Sequence, residues 1–274
     1  MTMSQNEKAE RFAALHKGPG TFIIANAWDA GSARILSTLG FAALATSSGA
    51  AAGVLGKRDG TMTRDESLAS ARAIVAATDL PVSADLEHAF GDSPEAVATT
   101  FRLAAGAGLV GASIEDATGD PARPLFPLEQ AVERVAASVA AARKLPFPFT
   151  LTARAENFFC GKPDLDDTIK RLQAYEKAGA DVLMAPGLPD IAAVRTVCAL
   201  LSRPFSFTGG IKGRSFPIAA LAEAGVRRIS LATSLYRAAM NGLVTAAREV
   251  RNEGGFGYVD RVLTTPELYS LMAN

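Results

Sequence analysis

The side chains of this sequence that could do chemistry are mostly carboxylates. Asp85, Glu87 and Glu115 each close a short apolar run, as strand-end residues would. Gathered at one small mouth they would repel one another unless a cation held them. Oxygen ligands without histidine or thiolate select Mg²⁺ or Mn²⁺, and Mg²⁺ keeps waters that a substrate can displace. Asp59, in the loop before the next helix, could join them. Arg154 suits a substrate carboxylate, because its planar fork meets both oxygens. The Ser48-Gly49-Ala50 turn could offer backbone N–H groups to the same anion. Only two histidines occur, His16 and His88, which excludes His-rich zinc sites and leaves little scope for a Ser-His-Asp triad.

Short β-rich runs must position these residues: 22–25, 42–46, 82–85, 111–115, 149–153, 182–185, 204–208 and 228–231. Amphipathic stretches such as 94–105, 128–144 and 165–178 lie between them. Alternating strands and helices make a parallel sheet. Proline precedes the odd-numbered strands (Pro19, Pro81, Pro146 and Pro148, Pro204). Glycine precedes the even-numbered ones (Gly40, Gly106, Gly179, Gly225) and is expected to turn left-handed where each helix stops. The pattern reads as a (βα)₂ unit used four times, hence a closed (β/α)₈ TIM-type barrel of α/β class. One barrel is expected over 1–274, with a short N-terminal helix and a C-terminal helical tail. No G-x-G-x-x-G follows a strand and no P-loop is present, which disfavours open nucleotide-binding sheets. Helix starts are expected at the capping box of Thr63 with Glu66, at Ser93-Pro94-Glu95 and at Thr265-Pro266-Glu267.

Barrel enzymes collect their active residues where strands end. That rule adds Trp28 after strand 1, Thr208 at the end of strand 7, and Gly209-Gly210 with Lys212 beyond it. Trp28 reads better as packing at the mouth than as a substrate stack, the Gly-Gly pair better as a turn than as a phosphate site, His88 as a supporting group and Cys160 as a packed thiol. The bulk composition narrows the function classes. Lys+Arg and Asp+Glu are both 28, so the chain is formally neutral and no nucleic-acid partner is expected. No apolar run approaches the roughly 20 residues that span a bilayer, and no membrane partner is expected. The N-terminal stretch is polar, and Cys160 and Cys198 fall in no metal or redox spacing. A cytoplasmic protein without structural disulfides is expected.

Taken in order, these motifs resemble those of the isocitrate lyase/phosphoenolpyruvate mutase superfamily. Asn26-Ala27-Trp28-Asp29-Ala30, Ser48-Gly49, the loop Asp59, Asp85-Leu86-Glu87-His88-Ala89-Phe90-Gly91, Ile114-Glu115-Asp116 and Thr152-Ala153-Arg154 each match one family motif, and the similarity runs from about Phe22 to Glu253. The resemblance implies Mg²⁺ (or Mn²⁺) held largely through water by Asp85, Glu87 and Glu115. It implies a 2-oxo acid or dicarboxylate substrate on Arg154 and the Ser48–Ala50 turn, with Trp28 and Thr208 beside it, and an enolate whose charge the metal would stabilise. It also implies a homo-oligomer, dimer or tetramer, exchanging the helix of 234–253 between subunits.

The departures from the family pattern bear on the reaction. The loop after strand 4 reads Ala117-Thr118-Gly119-Asp120-Pro121-Ala122-Arg123-Pro124, with no cysteine or histidine, which argues against isocitrate and methylisocitrate lyase activity. Ala89 stands where the motif usually has glycine. The expected function is Mg²⁺-dependent cleavage of a C–C bond in a small 2-oxo acid or substituted malate. Phosphonate C–P chemistry is the alternative, with Asp59, Thr118 and Arg123 as candidates to meet the phosphoryl group. A catalytically weak barrel that binds a 2-oxo acid stays open as a third reading. A Schiff-base aldolase would need Lys212.

Overall fold

The computed structural model describes residues 3–272. Eight parallel strands close into a barrel in sequence order: β1 Phe22–Ala27, β2 Leu44–Thr46, β3 Val82–Asp85, β4 Gly111–Glu115, β5 Thr150–Arg154, β6 Val182–Met184, β7 Phe205–Thr208 and β8 Arg228–Ser230. β8 returns to β1 in register, Arg228 facing Phe22 and Ser230 facing Ile24. The helices are α1 Gln5–Lys17, α2 Ala30–Thr38, α3 Ser48–Val54, α4 Arg64–Ala76, α5 Pro94–Gly106, α6 Leu128–Ala142, α7 Leu165–Lys177, α8 Ile191–Ala199, α9 Ile218–Glu223, α10 Ser234–Arg248 and α11 Thr265–Met272. The expected (β/α)₈ barrel is therefore present. No helix among the described residues is long and apolar enough to cross a membrane.

Local chemistry accounts for most boundaries. Thr63 and Glu66 form the expected reciprocal capping box, and Ser93 accepts from Ala96 N–H ahead of Pro94. Asp29 does the same for α2 through Ser32, so this strand-end acid is a helix cap. Some expectations shift. The last helix is capped by Thr264, whose Oγ1 accepts from Glu267 N–H, one residue earlier than expected. Gly40, Gly179 and Gly225 do turn left-handed (φ 84°, 102° and 96°), but Gly106 stays within α5 and Gly108 makes the turn at φ 90°. A Cβ on Gly108 would lie 2.7 Å from Val75 Cγ1 as well. The Ser48–Ala50 segment is the first turn of α3, capped by Ser47, and not a free turn. α10 stops at Arg248 and gives way to a π-helical turn, Glu249–Glu253, where a continuous helix was expected.

α1 closes the barrel floor. Phe12 is fully buried, and the His16 ring meets Phe12 and Phe22 edge-on at 4.8 and 5.1 Å. The apolar core lies between the strands and the surrounding helices. The inner wall itself carries buried hydroxyls (Ser83, Ser113, Thr152, Ser206, Thr208, Ser230) where barrels usually pack branched aliphatics. The upper half of the barrel therefore holds an open cavity of about 510 Å³ that descends from the C-terminal mouth.

Candidate active site

Five carboxyl groups line this cavity: Asp59, Asp85, Glu87, Glu115 and Glu156. β3, β4 and β5 end side by side, Asp85 opposite Ser113 and Glu115 opposite Arg154. That register hands Arg154 to three acids at once. Its Nη1 donates to Asp85 at 2.8 Å, its Nε to Glu156 at 2.8 Å, and its Nη2 lies 3.2 Å from Glu115. Burial alone would lower Arg154, but Glu156, Glu115 and Asp85 outweigh it and hold the guanidinium charged. Asp85 also accepts from Ser48 Oγ at 2.9 Å, Ser48 N–H at 3.3 Å and Ser113 Oγ at 3.4 Å.

The other acids are less well served. Glu87 is buried and makes no ion pair or side-chain hydrogen bond among the described residues. Burial, then Asp85 and Asp59, pushes its carboxyl up to about 7. Desolvation and Asp85 likewise raise Asp59, which sits at the exposed rim, accepts from Gly60 N–H at 3.2 Å and forms no ion pair among the described residues. Burial also raises Glu115 and Glu156, each partly offset by Arg154. Two unpaired acids inside a cavity call for protons or for a cation. The backbone around Glu87 is strained: Glu87, Ala89 and Phe90 lie at φ 51°, 61° and 56°. Each such residue costs about 1–3 kcal/mol and persists only where its surroundings enforce it. Ala89 is thus held in a conformation natural to glycine. Arg134 enforces the loop, donating from α6 to the His88, Gly91 and Asp92 carbonyls.

The residues expected from the sequence distribute unevenly. Asp59, Ser48, Asp85, Glu87, Glu115, Arg154 and Thr208 line the cavity, with His88 beside them. Gly49 sits against its wall, where a Cβ would come 2.9 Å from Asp59 Oδ2. Ala50 N–H is spent on Ser47 Oγ at 3.4 Å. Trp28 packs edge-on against Tyr236 at 5.5 Å and does not line the cavity. Thr118 donates to the Arg123 carbonyl, and Arg123 pairs with Asp120 at 3.5 Å, so both fold the loop onto itself. Ala117 and Gly119 of that loop do face the cavity. Cys160 donates to the Pro124 carbonyl at its root.

The oxygen-only donor set and the uncompensated acids fit a hard divalent cation. No three acidic, imidazole or thiol groups among the described residues form a ready-made cation cluster, however, because Arg154 draws Asp85 and Glu115 to itself. Glu156, at the end of strand 5, was not among the expected site residues, although strand alternation from Arg154 points to it. Nor was Arg228, at the start of β8 on the cavity floor.

A family model described as phosphoenolpyruvate phosphomutase matches residues 12–251. The chain belongs to the phosphoenolpyruvate mutase/isocitrate lyase superfamily. An oxaloacetate decarboxylase from Bradyrhizobium diazoefficiens is 32% identical over 214 residues, 76% of this chain and 73% of that protein. The 2-methylisocitrate lyase of Escherichia coli K12 is also 32% identical, over 71% of this chain and 67% of its own length. Among solved structures, a lyase/mutase candidate from Burkholderia cenocepacia J2315 is 48% identical with a TM-score of 0.96, covering 98% of this chain and 97% of that one. These relatives include carbon–carbon lyases, and the barrel, the strand-end acids and the arginine stand on a fold shared with them.

Proposed function

We propose that this chain is a divalent-cation-dependent carbon–carbon lyase acting on a small 2-oxo dicarboxylate of the oxaloacetate type. The observation that carries the reading is the buried, unpaired acid Glu87, with Asp59 at the exposed rim, beside three acids sharing one guanidinium. Asp85, Glu87 and Glu115 would hold Mg²⁺ (or Mn²⁺). When bound, the cation would offset the negative charge that develops on the oxo oxygen as the adjacent bond breaks.

The chain's own groups do the rest. Arg154 receives the substrate carboxylate as Asp85 and Glu115 turn away from it. Glu156, bound to Nε, keeps the fork aimed at the cavity. Ser48, at the first turn of α3, offers Oγ and N–H donors to the same anion once Asp85 releases them. Asp59, whose carboxyl is raised by desolvation and by Asp85, can return a proton to the carbanion carbon. The 117–126 loop, tied by the Ala117–Leu125 bridge, borders the site through Ala117 and Gly119. It brings no cysteine or histidine, which favours decarboxylation-type cleavage over methylisocitrate cleavage. Phosphonate chemistry finds less support, because Thr118 and Arg123 are engaged within the loop. We place the protein in the cytoplasm. We also expect a homo-oligomer built through α10, which has no buried residue of its own and exposes Leu243 and Val244.

Calorimetric titration with oxalate tests the reading. Wild type should bind with Kd below ~100 µM, about 5.5 kcal/mol, only with Mg²⁺ present, and Asp85→Ala should lose that binding. Oxaloacetate should then be consumed with release of CO₂. Oxalate binding indifferent to Mg²⁺ would make the acids structural and remove the proposal.

A further inference from the structure

The floor of the same cavity has the opposite chemistry from its mouth. Arg228 lines it and is 5% exposed. Its Nε donates to Ser206 Oγ at 2.9 Å and its Nη2 to Thr152 Oγ1 at 3.1 Å, while Nη1 lies 3.2 Å from His16 Nε2. His16 Nδ1 is 2.9 Å from the Phe12 carbonyl and so carries the ring proton, leaving Nε2 to accept. Burial and Arg228 push this imidazole down to about 3, so it is neutral. Every partner of Arg228 is therefore uncharged. No carboxylate among the described residues pairs with it, and Arg154 faces it with like charge. A buried charge without a counter-ion is costly.

The donor count points the same way. A guanidinium has five N–H bonds, and three are engaged here. Ser206 and Thr152 accept from Arg228, so each keeps its own O–H proton, and neither donates to any described residue. Two N–H and two O–H donors thus remain around a positive charge. We propose that the barrel floor is an inner anion site, in which Arg228, held in place by the Ser206 and Thr152 hydroxyls, binds a small planar monovalent oxyanion of the bicarbonate, formate or nitrate type. The site lies below the acids of the mouth and stands independently of the lyase reading.

Nitrate is the probe. It replaces gluconate at constant ionic strength while thermal unfolding of the full chain is followed, with Mg²⁺ and saturating oxalate either present or absent. Wild type should show a saturable rise in Tm that persists with oxalate and in Asp85→Ala. Arg228→Gln, and the double variant Thr152→Val/Ser206→Ala, should weaken nitrate about tenfold or more, as loss of charge-assisted bonds predicts. If Arg228→Gln fails to fold, the double variant keeps the arginine and carries the test. A wild-type response that is absent, or equal in the double variant (an adventitious ion only), overturns the site. So does competition by oxalate, which would move nitrate to the mouth.

Discussion

At the residue scale, the site is a contest for Arg154. Three acids take its guanidinium, Asp59 at the rim accepts from Gly60 N–H, and buried Glu87 is left to a proton or to a cation. The sign for Glu87 follows from its raised pKa. The folded protein holds a proton that the unfolded chain releases near 4.5. Its stabilising effect is complete below that value and is lost as pH rises through about 7. Without divalent cation, the unfolding midpoint in urea should therefore fall between these pH values, and Glu87→Gln should flatten that part of the profile. Mg²⁺ binds the ionised form, so it should raise the wild-type midpoint most at and above pH 7. A Mg²⁺ effect equally large at pH 5, or unchanged in Glu87→Gln, would separate Glu87 from the cation.

At the scale of elements, the 85–92 segment is a strained loop held from outside. Three non-glycine residues sit at positive φ, and Arg134 of α6 binds three of the loop's carbonyls while its guanidinium lies 4.1 Å over the Phe126 ring. One side chain thus fixes both the acid-bearing loop and the root of the 117–126 loop. Arg134→Met would leave three part-buried carbonyls without their donor, a loss on the order of 3 kcal/mol. Amide exchange should quicken at 87–92 more than in the strands, and Mg²⁺-dependent oxalate binding should weaken about tenfold as Glu87 loses its position. Unchanged exchange in that loop would show that the strain is carried elsewhere. Beneath the other side of the site, Asp116 accepts from Tyr175, Arg171 and Glu156 N–H at 2.6, 3.1 and 2.8 Å. α7 is thereby joined to the residue that orients Arg154.

Across the whole molecule, the chain's end is poorly matched to a lone barrel. α11 returns to α2, where Arg34 and Thr38 donate to the Met272 and Leu271 carbonyls. Between the two, α10 and the turns after it expose Leu243, Val244, Phe256, Val259, Val262 and Leu263. The proposed assembly would cover this apolar surface. Sedimentation should find the wild type as a dimer or larger at micromolar concentration. Leu243→Asp/Val244→Asp should shift it to monomer while leaving the barrel's circular dichroism intact. A monomeric wild type would refute the proposed assembly.

Much of this could be read from residue types alone. Proline and glycine alternate before the strands because proline restricts the backbone locally and glycine permits a left-handed turn, so eight strands and a closed barrel were legible. Asp85, Glu87, Glu115 and Arg154 were legible too, because barrel strands end at one mouth. Gly106 was misread because two glycines lie one residue apart, and only the packing of Gly108 against Val75 chooses between them. Which acids Arg154 takes was decided by the parallel register that sets Glu115 beside it and by its reach across to Asp85. Arg228 gave no signal, since an arginine opening an apolar strand looks solvent-facing until β7, β5 and α1 close around it. Sequence fixes what a residue can do through local backbone and side-chain chemistry. Charge balance depends on neighbours tens or hundreds of residues away, and the closed barrel alone brings those together.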